Sequence, residues 1–288
     1  MALFTVAELL SRRKPGAGYA VGAFNVYHME DVQGVVAAAE TEEAPVILQI
    51  SEGAIRFAGL DYIALLSRHA AEQAAVPAAI QLDHGSSYNV AVKCVRAGFS
   101  SVMIDASRLP FEENIKLTAK VAQMAHAAGV SVEGELGRVG GKEDDIGSEK
   151  EQSLHTDPDE AAEFVRRTAV DTLAVAIGTV HGLYRGEPKL DFDRLAVLRD
   201  HLRLPLVLHG ASDLPEELIR EAVRLGIDKI NIGTDLKVAG TEAIKRLFIE
   251  RPGEFDPGKV FTPARDAVKE LTRDRIRLFG ASGKAKDF

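Results

Sequence analysis

Eight short apolar runs recur along the 288-residue chain, at 19–25, 45–50, 78–82, 101–104, 130–135, 172–177, 205–208 and 229–232. Stretches with helical spacing of their apolar residues fall around and between them, at 2–11, 30–41, 60–73, 89–97, 111–128, 158–168, 192–201, 215–225, 235–248 and 263–279. Such alternation points to parallel pairing, because each helix carries the chain back before the next strand begins. Pro45-Val46-Ile47-Leu48 is apolar at successive positions, as a strand covered on both faces is. Eight units predict a closed α/β TIM (β/α)8 barrel, with 1–288 as a single domain. The alternative is an open doubly wound sheet. It normally carries a glycine-rich dinucleotide turn after the first strand, and Asn25-Val26-Tyr27-His28 is not one. A hydrophobic fraction of 46% is enough for the core of such a barrel. Residues 283–288 read as a frayed end.

Charge and cysteine content narrow the function classes. The net charge is −8 with no basic run, which argues against a nucleic-acid partner. No apolar run approaches membrane length and no apolar signal core opens the chain, so a soluble cytoplasmic protein is expected. The one cysteine, Cys94, excludes an intrachain disulfide and fits a reducing compartment. Its neighbours Val92 and Val95 place it in a helical pattern as a core residue.

Polar residues gather where the strands end: Asn25, Ser51, Asp83, His84, Asp105, Glu135, His181, His209 and Asn231. In a barrel of this kind that end carries the active site. Of eight histidines only His84, His181 and His209 precede a glycine, each at or just past an apolar run. One histidine so placed is more often structural than a ligand. Three in the same context suit an open zinc site, with three protein ligands and a fourth position for substrate. Asp83 would lie beside such a metal, placed to pass a proton to a substrate oxygen; it could equally cap the turn before Gly85-Ser86-Ser87. Asp105 and Glu135 could orient the histidines, ligate an alternative metal position, or pair with Arg108 and Arg138. The long irregular stretch 136–156 sets Glu143, Asp144 and Asp145 among glycines, as a mobile lid bearing a base or as a solvated acidic loop. Gly210-Ala211-Ser212 and Asn231-Ile232-Gly233-Thr234 follow the seventh and eighth runs, where backbone N–H groups and a helix start commonly cradle a phosphate.

Taken in order, Leu82-Asp83-His84-Gly85-Ser86-Ser87, Ser101-Val102-Met103-Ile104-Asp105-Ala106-Ser107, Val132-Glu133-Gly134-Glu135-Leu136-Gly137 with Gly140-Gly141-Lys142-Glu143-Asp144-Asp145, His181-Gly182 and Leu208-His209-Gly210 resemble the class II, metal-dependent fructose-bisphosphate and tagatose-bisphosphate aldolases. The resemblance covers nearly the whole chain. It implies Zn2+ on His84, His181 and His209, Asp83 as acid/base on the oxygen at the breaking bond, and Glu143 as the lid base for the dihydroxyacetone-phosphate carbon. It implies that Gly182, Gly210, Ala211, Ser212, Asn231, Ile232, Gly233 and Thr234 bind dihydroxyacetone phosphate, with a monovalent cation such as Na+ or K+ nearby. Asn25 and Ser51 match supporting contacts, and Arg265 matches an arginine reaching the second phosphate, in its own or a neighbouring subunit of a homodimer or homotetramer. The partner implied is a sugar bisphosphate. Gly233 departs from the Asn, Asp or Ala of many relatives. Ile50-Ser51-Glu52-Gly53 resembles fructose-type members and His209-Gly210-Ala211-Ser212 the tagatose type, so the C4 epimer stays open.

Other functions fit the residues less well. A Schiff-base aldolase wants a lysine at a strand C-terminal end, and Lys229 stands at the start of its run. A zinc hydrolase on this barrel commonly pairs histidines one residue apart, and no His-x-His occurs. A non-catalytic aldolase-like subunit would have lost a metal histidine or Asp83, and none is lost.

Overall fold

The computed structural model describes residues 3–13, 18–143, 146–147, 154–184 and 186–288, with the backbone alone at 142–143 and 146–147. Eight parallel strands close into a barrel: β1 (Val21–Asn25), β2 (Val46–Ser51), β3 (Ala78–Gly85), β4 (Ser101–Ile104), β5 (Ser131–Leu136), β8 (Thr172–Val175), β10 (Leu206–Leu208) and β11 (Ile227–Ile232), with β11 paired back to β1. Three short strands, β6 (Gly140–Glu143), β7 (Ile146–Gly147) and β9 (Val180–His181), form a separate small sheet. The helices are α1 (Val6–Ser11), α2 (Met29–Thr41), α3 (Glu52–Ala58), α4 (Leu60–Gln73), α5 (Tyr88–Arg96), α6 (Phe111–Ala127), α7 (Pro158–Thr168), α8 (Phe192–His201), α9 (Glu216–Arg224), α10 (Thr234–Glu250) and α11 (Pro257–Leu278). This is the TIM barrel the alternating pattern predicts. Among the described residues no helix is long and apolar enough to cross a membrane.

Strand period explains what each face does. Ile80, Leu82, Val102, Val132, Leu173 and Leu208 point outward into the apolar core beneath the helices. The residues between them point to the axis, and many are polar. Ser101 and Ser131 hydrogen bond to each other at 2.7 Å and accept from the Val6 and Ala7 N–H groups, so they satisfy the exposed donors of α1. Gln81, Glu133, Thr172 and Lys229 form the next layer, and Asn25, Asp83, Asp105, Glu135, His209 and Asn231 stand at the mouth. Cys94 is buried, as its helical pattern predicts.

Some boundaries differ from the expectation. Helix α3, which is absent from the expected helices, follows β2 at once, with the Ser51 hydroxyl accepting from the Ala54 N–H. The irregular stretch contains the β6–β7 hairpin, whose two- and four-residue strands are too short for a periodic signal. Helix α11 starts at Pro257 behind the capping Asp256, and Pro263 lies inside it. The segment 283–288 is held rather than frayed: the Gly283 and Ala285 N–H groups donate to the Glu42 and Glu43 carbonyls, and Phe288 packs edge-on against Phe4.

Helix α11 also packs along α2. A Cβ on Gly34 of α2 would stand 2.8 Å from the Arg265 carbonyl oxygen and 3.0 Å from Val268 Cγ1. Backbone cannot yield to it, so Gly34→Val is expected to destabilise the fold by about 1–3 kcal/mol through overpacking. Urea unfolding measures this, and a midpoint equal to the parent's would show that the helices separate freely.

Candidate active site

His84 and Asp83 are adjacent, yet both face the mouth of the barrel. Successive strand residues normally point to opposite faces. Here the β3–β4 register shifts between Leu82 and Gly85, and His84 takes a left-handed backbone with φ 45°. A non-glycine residue in that conformation costs roughly 1–3 kcal/mol, a strain that gathers at functional sites. Gly85 is required next, because a Cβ there would stand 2.7 Å from the Met103 carbonyl.

His209 follows β10 on the opposite side of the barrel. Its Nε2 lies 2.9 Å from Glu133 Oε1, while His84 Nδ1 lies 2.9 Å from Asp105 Oδ2. Each ring donates its rear N–H to a carboxylate, which turns the other nitrogen forward. The forward atoms, His84 Nε2 and His209 Nδ1, stand 3.1 Å apart. Two bare lone pairs repel at that distance, so the pair needs a cation or a proton between them. His181 stands alongside, on β9 rather than on a barrel strand, its ring centroid 5.0 Å from that of His84. Ligand nitrogens of all three histidines lie within 4.8 Å of one another, a donor set that fits a metal ion.

His84, Asp105 and Glu135 form a second such group. Glu135 Oε2 is buried without a hydrogen-bond partner, 3.4 Å from His209 Nδ1 and 4.0 Å from His84 Nδ1. The electrostatics follow from this crowding. Burial alone would lower the His84 pKa, but Asp83, Asp105 and Glu135 outweigh it and hold the ring well above the usual histidine range. Burial lowers His181 and His209, and the neighbouring rings add to it. Burial and the charge of Asp105 push Glu135 up to about 8. Asp105 is held low despite its burial, chiefly by its bond to His84.

Asp83 is fixed by donors. Asn25 Nδ2 lies 2.7 Å from its Oδ2 and Asn231 Nδ2 3.4 Å from its Oδ1, and His84 Nε2 is 3.9 Å away. Ser51 lies level with Asp83 on the next strand. Asn25, Asp83, His84, His181, Gly182, Gly210, Ala211, Ser212, Asn231, Gly233 and Thr234 line one cleft at the barrel mouth. The turn at 210–212 meets the start of α10 there, with the Asp235 N–H donating to Ser212 Oγ. A groove of about 240 Å³ shares Asn25 and brings in Tyr27, His28, Lys237 and Thr241.

Three of the predicted substrate-binding residues do not line the cleft: Ser51, whose hydroxyl caps α3, Ile232 and Arg265. Ile232 is buried in the apolar core. Arg265 lies on α11 beside Asp266 and does not line the cleft. Glu143 ends β6 opposite Ile146, with its side chain outside the described parts, and Asp144 and Asp145 lie outside the described residues. The sequence reading missed Gln81, Glu133 and Lys229. Glu133 accepts from Gln81 and from Lys229 Nζ, both at 2.9 Å, and Lys229 also donates to Asn231 Oδ1 at 2.7 Å. The signal was their phase: each lies two residues before a mouth residue on the same strand, and so on the inner face.

Comparison with known proteins agrees with this geometry. The chain is 46% identical to a fructose-bisphosphate aldolase of Geobacillus stearothermophilus over 99% of each chain. It is 44% identical to one of Thermus caldophilus over 98% of this chain and 100% of that one. The crystal structure of the YdjI aldolase of Escherichia coli K12 superposes with a TM-score of 0.87 at 36% identity, over 99% of this chain and 100% of the other. The family described as fructose-bisphosphate aldolase class-II matches residues 5–284. With the barrel, the three histidines and that match in hand, the chain belongs to the class II fructose-bisphosphate aldolases.

Proposed function

We propose that this class II aldolase, an aldehyde-lyase, reversibly cleaves fructose 1,6-bisphosphate to dihydroxyacetone phosphate and glyceraldehyde 3-phosphate, with zinc held by His84, His181 and His209. The observation that carries the reading is the 3.1 Å approach of His84 Nε2 and His209 Nδ1, each backed by a carboxylate. Zinc, when bound, supplies a Lewis acid for negative charge on the dihydroxyacetone-phosphate half. Asp105 and Glu133 orient the rings, and Glu135 is a further candidate ligand. Asp83, held by two amide donors, takes the proton of the C4 hydroxyl as the C3–C4 bond breaks, and the bond's electron pair stays with the dihydroxyacetone-phosphate half. Glu143 then protonates that carbon. The turns at 210–212 and 233–234, with Gly182, hold the phosphate through backbone N–H groups, with Na+ or K+ beside it. The groove sharing Asn25 receives the aldehyde half, with Lys237 as a cation for the second phosphate. Arg265 stands outside its own cleft, which supports its acting on a neighbouring subunit of a homodimer or homotetramer.

A coupled assay decides the substrate. Fructose 1,6-bisphosphate is expected to be cleaved, and a chelator to abolish the activity until zinc is restored. Faster cleavage of tagatose 1,6-bisphosphate would reassign the epimer, and full activity after exhaustive chelation would remove the metal from the reaction.

Proton competition gives a second test. His84 is held well above the usual histidine range by its carboxylates, so without metal it keeps its proton at neutral pH. Zinc has to displace that proton, so affinity rises with pH, by roughly tenfold per unit below the raised pKa. Calorimetry in buffers of different ionisation enthalpy should show at least about one proton released per zinc. Affinity independent of pH across the neutral range would contradict the arrangement.

The acid/base pair separates by assay. Positioned acids and bases contribute about 100- to 10,000-fold, so Asp83→Ala should lose cleavage by that order while still binding zinc. Glu143→Ala should slow tritium exchange at the dihydroxyacetone-phosphate carbon far more than it weakens ligand binding. Exchange at the parent rate in Glu143→Ala, with loss in Asp144→Ala or Asp145→Ala, would move the role to a neighbour.

A further inference from the structure

His84 and His209 ride on or next to barrel strands, and a carboxylate holds each from behind at 2.9 Å. His181 has neither support. Four residues, 176–179, separate the end of β8 from the two-residue strand β9 that carries it. Among the described residues no carboxylate forms an ion pair with its ring. Among the described residues its ladder pairing is with β6 of the small sheet, Gly141 lying opposite it. Something must still set this imidazole against the other two.

Tyr184 is placed to do so. Its hydroxyl accepts from the Val180 N–H at 3.1 Å and donates to the Gly210 carbonyl at 2.8 Å. Val180 immediately precedes His181, and Gly210 immediately follows His209. One oxygen therefore joins the backbones beside two of the three metal histidines. The close fit has no slack, since a Cβ on Gly210 would stand 2.6 Å from the Val180 carbonyl oxygen. At the other end of the residue, the Tyr184 N–H donates to Asp213 Oδ2 at 3.1 Å. The Asp213 N–H in turn donates to Asp235 Oδ1 in the first turn of α10, and Asp235 is held by Arg275 at 2.7 Å. Tyr184 thus touches both sides of the turn proposed to hold phosphate. Burial pushes its pKa up to about 12, so the hydroxyl keeps the proton it donates to Gly210.

We propose that Tyr184 is a positioning residue that locks the loop of His181 to the 210–213 turn, so that zinc and dihydroxyacetone phosphate tighten each other's binding through this link as well as by direct contact. The inference rests on the metal site and phosphate turn proposed above. Such coupling is reciprocal: whatever factor one ligand adds to the affinity of the other is returned.

The test measures zinc affinity by chelator competition on the full chain, with and without dihydroxyacetone phosphate, for the parent, Tyr184→Phe, Asp213→Gly and His181→Ala. The parent should bind one zinc, more tightly when dihydroxyacetone phosphate is present. Tyr184→Phe keeps the ring and removes one oxygen. Its zinc affinity should fall roughly tenfold, the loss expected when two hydrogen bonds behind a ligand go. The tightening by dihydroxyacetone phosphate should fall by more than about twofold, leaving the part that direct contact of the ligand with zinc supplies, and KM for it in the condensation direction should rise more than kcat falls. Asp213→Gly suits the left-handed φ of 62° and leaves the phenol bonds intact. It should keep most zinc affinity and lose part of the coupling. Zinc affinity and coupling within about twofold of the parent in Tyr184→Phe overturn the proposal. Should that variant no longer melt cooperatively, Asp213→Gly decides, and unchanged coupling there overturns it. A parent that binds no zinc, or a His181→Ala that binds it as tightly, overturns the metal site itself and this inference with it.

Discussion

Glu133 brings a carboxylate to the axis of the barrel, out of reach of water, and a charge so placed must be met by hydrogen bonds from every side. Gln81, Thr172, Lys229 and His209 meet it, from four different strands or strand ends. Burial would raise its pKa, but Lys229 and His209 more than reverse that, and the group stays ionised. The pair contributes little net stability in such a place, whereas breaking it by losing one partner costs about 3–5 kcal/mol. Its value lies in what it fixes above. Glu133 sets the ring of His209, and Lys229 sets Asn231, which donates to Asp83. One buried charge therefore orients a histidine proposed to hold the metal and the proposed acid/base together.

The same logic accounts for the forward faces of the rings. Asp105 and Glu133 hold the rear nitrogens, so the front nitrogens have no choice of direction. The 3.1 Å gap between them is unfavourable for two neutral imidazoles and favourable around a cation. Asp83 differs in that the hydrogen bonds holding it come from neutral amides, Asn25 and Asn231.

Much of this was legible in the sequence, for physical reasons. Eight apolar runs with helices between them admit few folds, and His-Gly recurs because the backbone at those places must turn or approach another strand closely, as Gly85 and Gly210 do. The layer below the mouth was not read. Strands β3, β5 and β11 register as apolar when their outward residues are weighed, and Gln81, Glu133 and Lys229 look like interruptions rather than an inner column. The bulge at His84 left no signature either, since its left-handed backbone is imposed by the β3–β4 register and not by local propensity. Arg265 carried a motif match, but a motif carries no direction, and on α11 its side chain pairs with the neighbouring Asp266 and does not line the cleft.

The histidines divide into two kinds of support, and the division bears on the lid. His84 and His209 belong to the barrel, whose strands are tied on both sides. His181 is tied through β9 to β6, the strand that ends at Glu143. One residue, Lys142, separates the ladder position opposite His181, Gly141, from Glu143 itself. Under the roles proposed for Glu143 and His181, a shift of the Glu143 backbone would be transmitted along β6 to the backbone of His181. Two ladder pairs, Gly140 with Val180 and Gly141 with His181, carry that connection.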